Sequence, residues 1–478
     1  MKYRFRLAAL FFAFSLLSAP AFASAPGQHS RSCHLPGYDQ SLRCVSIPVP
    51  LDYQKPAAEK LMLHVTVAPA FREAAKSDPL FILAGGPGQA GSEILRLLDT
   101  SFHKVRATRD IVLIDQRGTG LSGKLDCENL HALAEQALTE QEAAIAACMR
   151  SLNKPYAFYN TENSTRDLEQ IRLALGYGQV NIWGSSYGTR LGQAYARRFP
   201  DSVRALILDA VAAPDQIIFA WGRDGQAALD TMFRHCAENP GCKAAYPALP
   251  AQFKALMQRV AAGSVKLDFP HPRTARRTQM TLLPSRFLQT VRAALYAGDS
   301  RSRLPFLIDS ADQGNWRPFM AQMIGASDIS ADGPAIGLML SVTCAEDIPQ
   351  LTPALIADEE GNSFLAGSEI KLVSRWCRFI DVPKAPRQAA TLIQAPVLLL
   401  SGSLDPVTPP RRAESALKHM ARAQHFVVEN AGHGISQLGC APRLLREFLD
   451  RPEQALDGKC LKEIPAASFQ LGNAGPQP

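Results

Sequence analysis

A chain of 478 residues, 46% of them hydrophobic, has enough apolar mass for a packed core and is not disordered or fibrous in composition. Its length exceeds what one core usually organises, so a core domain with a large insertion or a second domain is expected. The net charge of +7 falls by three, to +4, once the N-terminal Lys2, Arg4 and Arg6 are set aside, which is too mild for a nucleic-acid or membrane-surface partner.

The chain opens on a cationic n-region, an apolar stretch from Leu7 to Leu17 and the small-residue pattern Ala21-Phe22-Ala23. This predicts a secretory signal over residues 1–23, cut after Ala23 or, as second choice, after Ala25. The apolar stretch is shorter than the ~20 residues that span a bilayer, so an exported, soluble protein of the periplasm or the medium is expected, without a membrane anchor. All ten cysteines follow this segment, and an even count in an exported chain favours disulfides. They fall as neighbours, which predicts Cys33–Cys44, Cys127–Cys148, Cys236–Cys242, Cys344–Cys377 and Cys440–Cys460. With no Cys-x-x-Cys or His-Glu-x-x-His spacing, neither metal nor cofactor is expected.

From Val45 onward short apolar runs alternate with helix-like stretches, the pattern of a parallel sheet covered on both faces. Val45 to Leu51 and Leu61 to Ala68 read as an antiparallel pair. Leu80 to Ala84, Ile111 to Ile114, Val180 to Trp183 and Ala205 to Leu208 read as buried strands. A helix from Arg166 to Leu175 is expected, capped by Ser164 or Thr165 and ended by Gly176. Another should run from Tyr187 to Arg198. After Val211 the pattern turns helical until about Ala390, with a polar hairpin from Val265 to Leu283 around the basic, solvated stretch Arg273 to Arg277. Strands return at Pro396 to Ser401 and His425 to Glu429. The expected division is therefore a core in two parts, 24–213 and 391–464, a cap over 214–390, and a frayed tail over 465–478.

Gly184-Ser185-Ser186-Tyr187-Gly188 ends one predicted strand and opens a helix. A Gly-x-Ser-x-Gly in that context is a nucleophile elbow, where glycines allow a strained turn that exposes the serine. A serine hydroxyl needs a histidine base and an acid to orient it. Asp405 follows the strand ending at Leu400, and His433 follows the next strand between Gly432 and Gly434, which gives the chain order Ser, Asp, His. The separation of 28 positions between them fits one helix, with Thr408 as its cap, and one strand. Asp209 is the competing acid at another strand's end. Gly85-Gly86-Pro87-Gly88 follows the strand ending at Ala84, where backbone N–H groups of Gly86 and Tyr187 can meet an oxyanion.

Those motifs, with Asp115-Gln116-Arg117-Gly118-Thr119-Gly120, resemble the proline iminopeptidase and tripeptidyl aminopeptidase family of α/β-hydrolases. Val49-Pro50-Leu51-Asp52-Tyr53 and the cysteine-bearing cap point to its secreted tripeptidyl-aminopeptidase-like branch. The likeness runs from about Cys44 to Cys460. It implies a mostly parallel eight-stranded sheet with helices on both faces and a mainly helical cap between core strands 6 and 7. It also implies Ser186 as nucleophile, Asp405 as acid and His433 as base. Ala84 stands where many proline iminopeptidases carry a histidine, which argues against a strict demand for proline. Arg117 is expected to tie loops together beneath the site. The family's exopeptidases hold a substrate's α-ammonium in the cap, and similarity offers Glu346 and Asp347 for that task; a helix-cap or surface acid pair is the other reading. The expectation is thus an exported serine aminopeptidase acting on peptide N-termini. A carboxylic-ester hydrolase with the same triad is the alternative, and a non-catalytic binding protein on the same fold a more distant one. Serine at the elbow excludes epoxide hydrolase and dehalogenase chemistry.

Overall fold

The computed structural model of the protein describes residues 29–127, 138–270, 275–329, 333–385 and 390–475. The expected signal segment lies outside them, as do Arg273 and Thr274 of the basic stretch. Nine strands form one sheet in the order β1-β2-β3-β5-β4-β6-β7-β10-β11. β1 (His29–Leu35), β2 (Tyr38–Pro50) and β3 (Lys60–Ala68) are antiparallel, and β3 runs antiparallel to β5 (Ile111–Ile114). β4 (Leu80–Leu83), β5, β6 (Val180–Ser186), β7 (Val203–Val211), β10 (Val397–Gly402) and β11 (Ala423–Val428) are parallel. The sheet therefore has one strand more than the eight expected. β1 is short and polar, carries no apolar alternation, and is tied to β2 by the Cys33–Cys44 disulfide.

The inner parallel strands are buried on both faces, which is why Leu80–Leu83 and Ile111–Ile114 read as unbroken apolar runs, whereas the edge strand β11 is largely exposed or half-buried. One face packs on the Thr161–Ala174, Tyr187–Arg198 and Pro410–Leu417 helices through Leu168, Ile171, Leu191, Tyr195 and Ala413. The other packs on Phe102, Val105 and, from the Ala441–Asp450 helix, Leu444 and Phe448. The Thr161–Ala174 helix starts a turn earlier than expected, because Asn160, and not Ser164 or Thr165, accepts the capping bond, from Asn163 N–H. Arg117, fully buried, donates to the Pro50, Leu51 and Phe158 carbonyls and holds Asp167 with two nitrogens.

Between β7 and β10 the chain forms a block of helices, the longest being Gly222–Glu238, Leu249–Ala261, Gly298–Asp312 and Arg317–Ile329. It contains the hairpin β8 (Lys266–Pro270) and β9 (Arg277–Thr281). The block has its own core around Met232, Phe253, Leu256, Phe287, Leu304 and Phe319. Its seam with the sheet domain is in part apolar, Leu125, Met149, Tyr156 and Tyr187 packing with Ile336, Leu338, Val342 and Val373 of the block, and in part ionic: the buried Asp224 pairs with Arg411 and Arg412 of the Pro410–Leu417 helix. Of the tail expected to fray, residues 465–475 are described and bound to the helical block, and 476–478 lie outside the described residues. Phe469 and Leu471 pack on the cap core, Gln470 N–H donates to the Ser302 carbonyl at 3.1 Å, and the Tyr246 hydroxyl donates to the Gln470 carbonyl at 2.8 Å. The ten cysteines form the five bonds Cys33–Cys44, Cys127–Cys148, Cys236–Cys242, Cys344–Cys377 and Cys440–Cys460.

Candidate active site

β6 runs straight into the Tyr187–Arg198 helix, and Ser186 is the corner between them, with φ 53° and ψ −122°. A non-glycine residue at positive φ is strained, and such strain persists only where the surroundings force it. Here the force is crowding. A Cβ at Gly188 would stand 2.1 Å from the Leu83 carbonyl oxygen, and one at Gly184 2.4 Å from the Gly188 oxygen, so only glycines let strand and helix meet this closely. The serine side chain is thereby presented at the strand tip and at the positive end of a helix.

Asp405 and His433 come from the loops after β10 and β11, two and three positions over from β6 in the sheet. His433 Nδ1 lies 2.8 Å from Asp405 Oδ2. Asp405 is 2% exposed and also accepts from Val407 N–H, Thr408 N–H and the Thr408 hydroxyl, at 2.7 to 2.9 Å. Thr408 is therefore not the cap of the following helix, whose N-cap is Pro409; it serves the acid instead, with its hydroxyl oxygen 3.1 Å from His433 Nδ1. Burial alone would raise the Asp405 carboxyl, but His433 and the Thr408 donors outweigh it and hold it below the usual carboxylate range. Burial likewise opposes a charged His433, yet Asp405, with a contribution from Asp209, lifts the imidazole above its ordinary value against Arg292.

The Gly85 to Gly88 loop lies against the serine: a Cβ on Gly85 would be 3.1 Å from Ser186 Cβ and 3.7 Å from its Oγ. Gly86 and Gly88 adopt φ of 103° and 109°, conformations that turn the loop's backbone inward and that side chains resist. Tyr187 is the first residue of its helix, so its N–H has no acceptor within the helix and is available beside Ser186. The Tyr187 ring is buried, and its hydroxyl lies 2.8 Å from Thr161 Oγ1.

Glu346 and Asp347 stand elsewhere. Thr161 N–H and Oγ1 donate to the two Glu346 oxygens at 2.8 and 2.7 Å, so the Tyr187 hydroxyl is the donor to Thr161. Asp347 is gripped by Arg190 at 3.0 Å and accepts from Ile218 N–H. Burial pushes both carboxyls up, with Arg190 pulling them back. Both acids line a cavity of about 710 Å³ shared with Arg190, Gln193 and Arg197, and Ser186, Asp405 and His433 are not among the described residues that line it.

The cap reaches the catalytic loops through residues without a sequence signal. The Ala335 N–H donates to the Gly88 carbonyl at 2.9 Å, and His433 N–H donates to the Tyr296 carbonyl at 2.8 Å. The Tyr296 ring meets the His433 ring edge-on, with centroids 5.1 Å apart, and Arg292 donates to the Tyr296 hydroxyl. Glu369, 7% exposed, pairs through one oxygen with Arg292 at 2.8 Å, while its Oε2 is buried without a partner. Burial pushes its carboxyl up against the pull of Arg292. Nothing at Gly367-Ser368-Glu369 separates this acid from a helix-start residue in the sequence; only the fold brings it beside Arg292. Among the described residues no group of three His, Cys, Asp or Glu could hold a metal ion, and no helix is long and apolar enough to cross a membrane.

Two family models match, one described as the α/β hydrolase fold over residues 78–245 and one as TAP-like protein over residues 363–460. A stretch of 221 residues is 32% identical to the serine protease Hip1 of Mycobacterium tuberculosis and covers 42% of each chain. Tripeptidyl aminopeptidase of Streptomyces lividans is 31% identical over 211 residues, 40% of this chain and 39% of its own. A probable proline iminopeptidase of Streptomyces coelicolor is 30% identical over 135 residues, 28% of this chain and 33% of its own. The chain thus spans less than half the length of the relatives it matches.

Proposed function

Because the chain belongs to the α/β-hydrolase family of the tripeptidyl aminopeptidases and proline iminopeptidases, we propose that it is an exported serine aminopeptidase releasing single residues or short peptides from N-termini. The observation that carries this reading is the buried Asp405–His433 pair at 2.8 Å, in loops after β10 and β11, at the same C-terminal edge of the parallel strands as Ser186 at the end of β6. In the reaction, His433 Nε2 takes the Ser186 hydroxyl proton as Oγ bonds to the substrate carbonyl carbon. Asp405 on Nδ1 orients the ring and stabilises the imidazolium. Backbone N–H groups of Gly86 and Tyr187 receive the oxyanion; one such donor is worth ~2.7–4 kcal/mol in related hydrolases. The imidazolium then gives its proton to the leaving amine as the C–N bond breaks, leaving an acyl-enzyme on Ser186. Water, deprotonated by the same histidine, attacks the ester, and Ser186 recovers its proton.

An aminopeptidase must also receive an ammonium group. Glu346 and Asp347 already have protein donors on their carboxylates, whereas Glu369 has one oxygen without a partner and stands over the histidine through Arg292 and Tyr296. Export is supported by the signal-like residues 1–23 and by five disulfides. The test is hydrolysis of free and N-blocked aminoacyl and tripeptidyl chromogenic amides beside p-nitrophenyl esters. Free-amine amides should be preferred, and Ser186→Ala should lose about 10⁴-fold or more in kcat. Turnover of esters with no amide cleaved would replace the peptidase reading by the esterase one.

A further inference from the structure

Asp209 is a fully buried carboxylate that the reaction above leaves without a task. It lies near the end of β7, where Ser185 of the nucleophile strand and Leu400 of the acid's strand are its register partners. It therefore sits between the two strands that deliver Ser186 and Asp405. Its oxygens accept from two consecutive backbone N–H groups, Ile435 at 2.8 and 3.0 Å and Ser436 at 2.8 Å. Ser436 Oγ in turn accepts from Trp183 Nε1 of β6 at 2.8 Å. The turn that leaves His433 is thus clamped from β6 and β7, while the His433 N–H is held by the cap at Tyr296.

We propose that Asp209 is a positioning residue for the base: its carboxylate fixes the 433–436 turn so that the imidazole is presented to Ser186, and it supplies a second negative charge near the imidazolium. A turn or cap aspartate at the surface would face water; this one faces peptide N–H groups on an apolar turn whose Ile435 is fully buried. Burial pushes the carboxyl up, and the Ser436 and Ile435 donors and His433 pull it back. The charged groups facing His433 are Asp405 from the β10 loop, Asp209 from β7 and, opposing them, Arg292 of the cap, itself paired with Glu369. The inference rests on the triad reading, and the experiment keeps the two apart.

Sulfonylation by phenylmethylsulfonyl fluoride, followed against pH as fluoride release, reports the Ser–His pair without any knowledge of the substrate. Asp209→Asn should lower the plateau rate by about 10- to 100-fold, as misplaced catalytic groups do, and move the acidic midpoint down by about 0.5–1 unit, because a charge favouring imidazolium has gone. Asp209→Glu, which keeps the charge but not the geometry, should lower the plateau and leave the midpoint in place. A native plateau in Asp209→Asn, or a lowered plateau with an unmoved midpoint, would overturn the proposal. Should Asp209→Asn fail to fold, Asp209→Glu decides: a native plateau overturns the proposal, and a lowered plateau with the native midpoint supports it. If Ser186→Ala still releases fluoride at the native rate, the triad reading has failed, and Asp209 with it; if it is inert, the Asp209 variants are read as above.

Discussion

His433 pairs with Asp405 and lies in the field of Asp209 and Arg292, and on the proposed function that balance should set the pH range of the reaction. Asp405 and Asp209 outweigh burial and Arg292, so the folded imidazole titrates above 6.5. A base must be neutral, so kcat/KM should rise with pH through a midpoint above 6.5; a midpoint below 6.5 would contradict the field described. The same shift makes a contribution to stability that is fully present below the unfolded imidazole's pKa and is lost as pH rises through the folded value. Glu369→Gln should raise KM for free-amine amides by about 10-fold or more while leaving N-blocked esters within about twofold, since a buried cation needs a paired charge. Ser186, Asp405 and His433 were legible because each sits in a short glycine- or proline-marked turn at a strand's end. Thr408, Arg292, Tyr296 and Glu369 were not, because none belongs to a motif: they reach His433 or one another only through folding, and a threonine before Pro409 reads locally as a helix cap.

At the scale of elements, the buried parallel strands were legible from their continuous apolar runs, and the Tyr187–Arg198 helix from the elbow before it and Pro200 after it. β1 was missed because a polar edge strand has no apolar face to display. The start of the Thr161–Ala174 helix was misplaced because Thr161 to Thr165 is polar and four of its residues can cap; Asn160 just before them makes the cap, and Glu346, from the distant block, accepts from the Thr161 N–H and hydroxyl of the first turn. Two substitutions probe the joints between elements. Gly188→Ala places a carbon 2.1 Å from the Leu83 oxygen, with backbone on both sides, so the elbow must shift. The variant should lose about 10²-fold or more in kcat, the scale of a 1 Å misplacement, read by the chromogenic assay. Asp224→Ala removes the acceptor of Arg411 and Arg412, which keep some access to water, and should cost about 1–2 kcal/mol, read as a lowered urea midpoint with the m-value unchanged.

Across the whole molecule, alternating strands and helices followed by a helical block gave the architecture away, but small, polar residues after Ile464 gave no hint of where they bind. Asn430, three residues before the catalytic histidine, donates to the Ile464 carbonyl at 3.0 Å, and from there the tail crosses to the cap. Truncation after Ile464 should cost about 2 kcal/mol from exposing Phe469 and Leu471 and their cap partners. At ~2–4 °C per kcal/mol this is a drop of several degrees in Tm by calorimetry, with cap mobility rising in hydrogen exchange. The disulfides span sequence separations of only 6 to 33 residues, and each closes wholly within the sheet domain or wholly within the helical block. No disulfide joins the two; what joins them is the chain at two crossings, the apolar and ionic seam, and the tail. The helical block can therefore be exchanged between β7 and β10 without orphaning a cysteine, but its replacement must bring residues 465–475, an apolar face equivalent to Ile336, Leu338, Val342 and Val373, and counterparts of Asp224, Tyr296, Ala335, Glu346 and Asp347. On the proposed function, selectivity should travel with such a graft while Ser186, Asp405 and His433 stay behind.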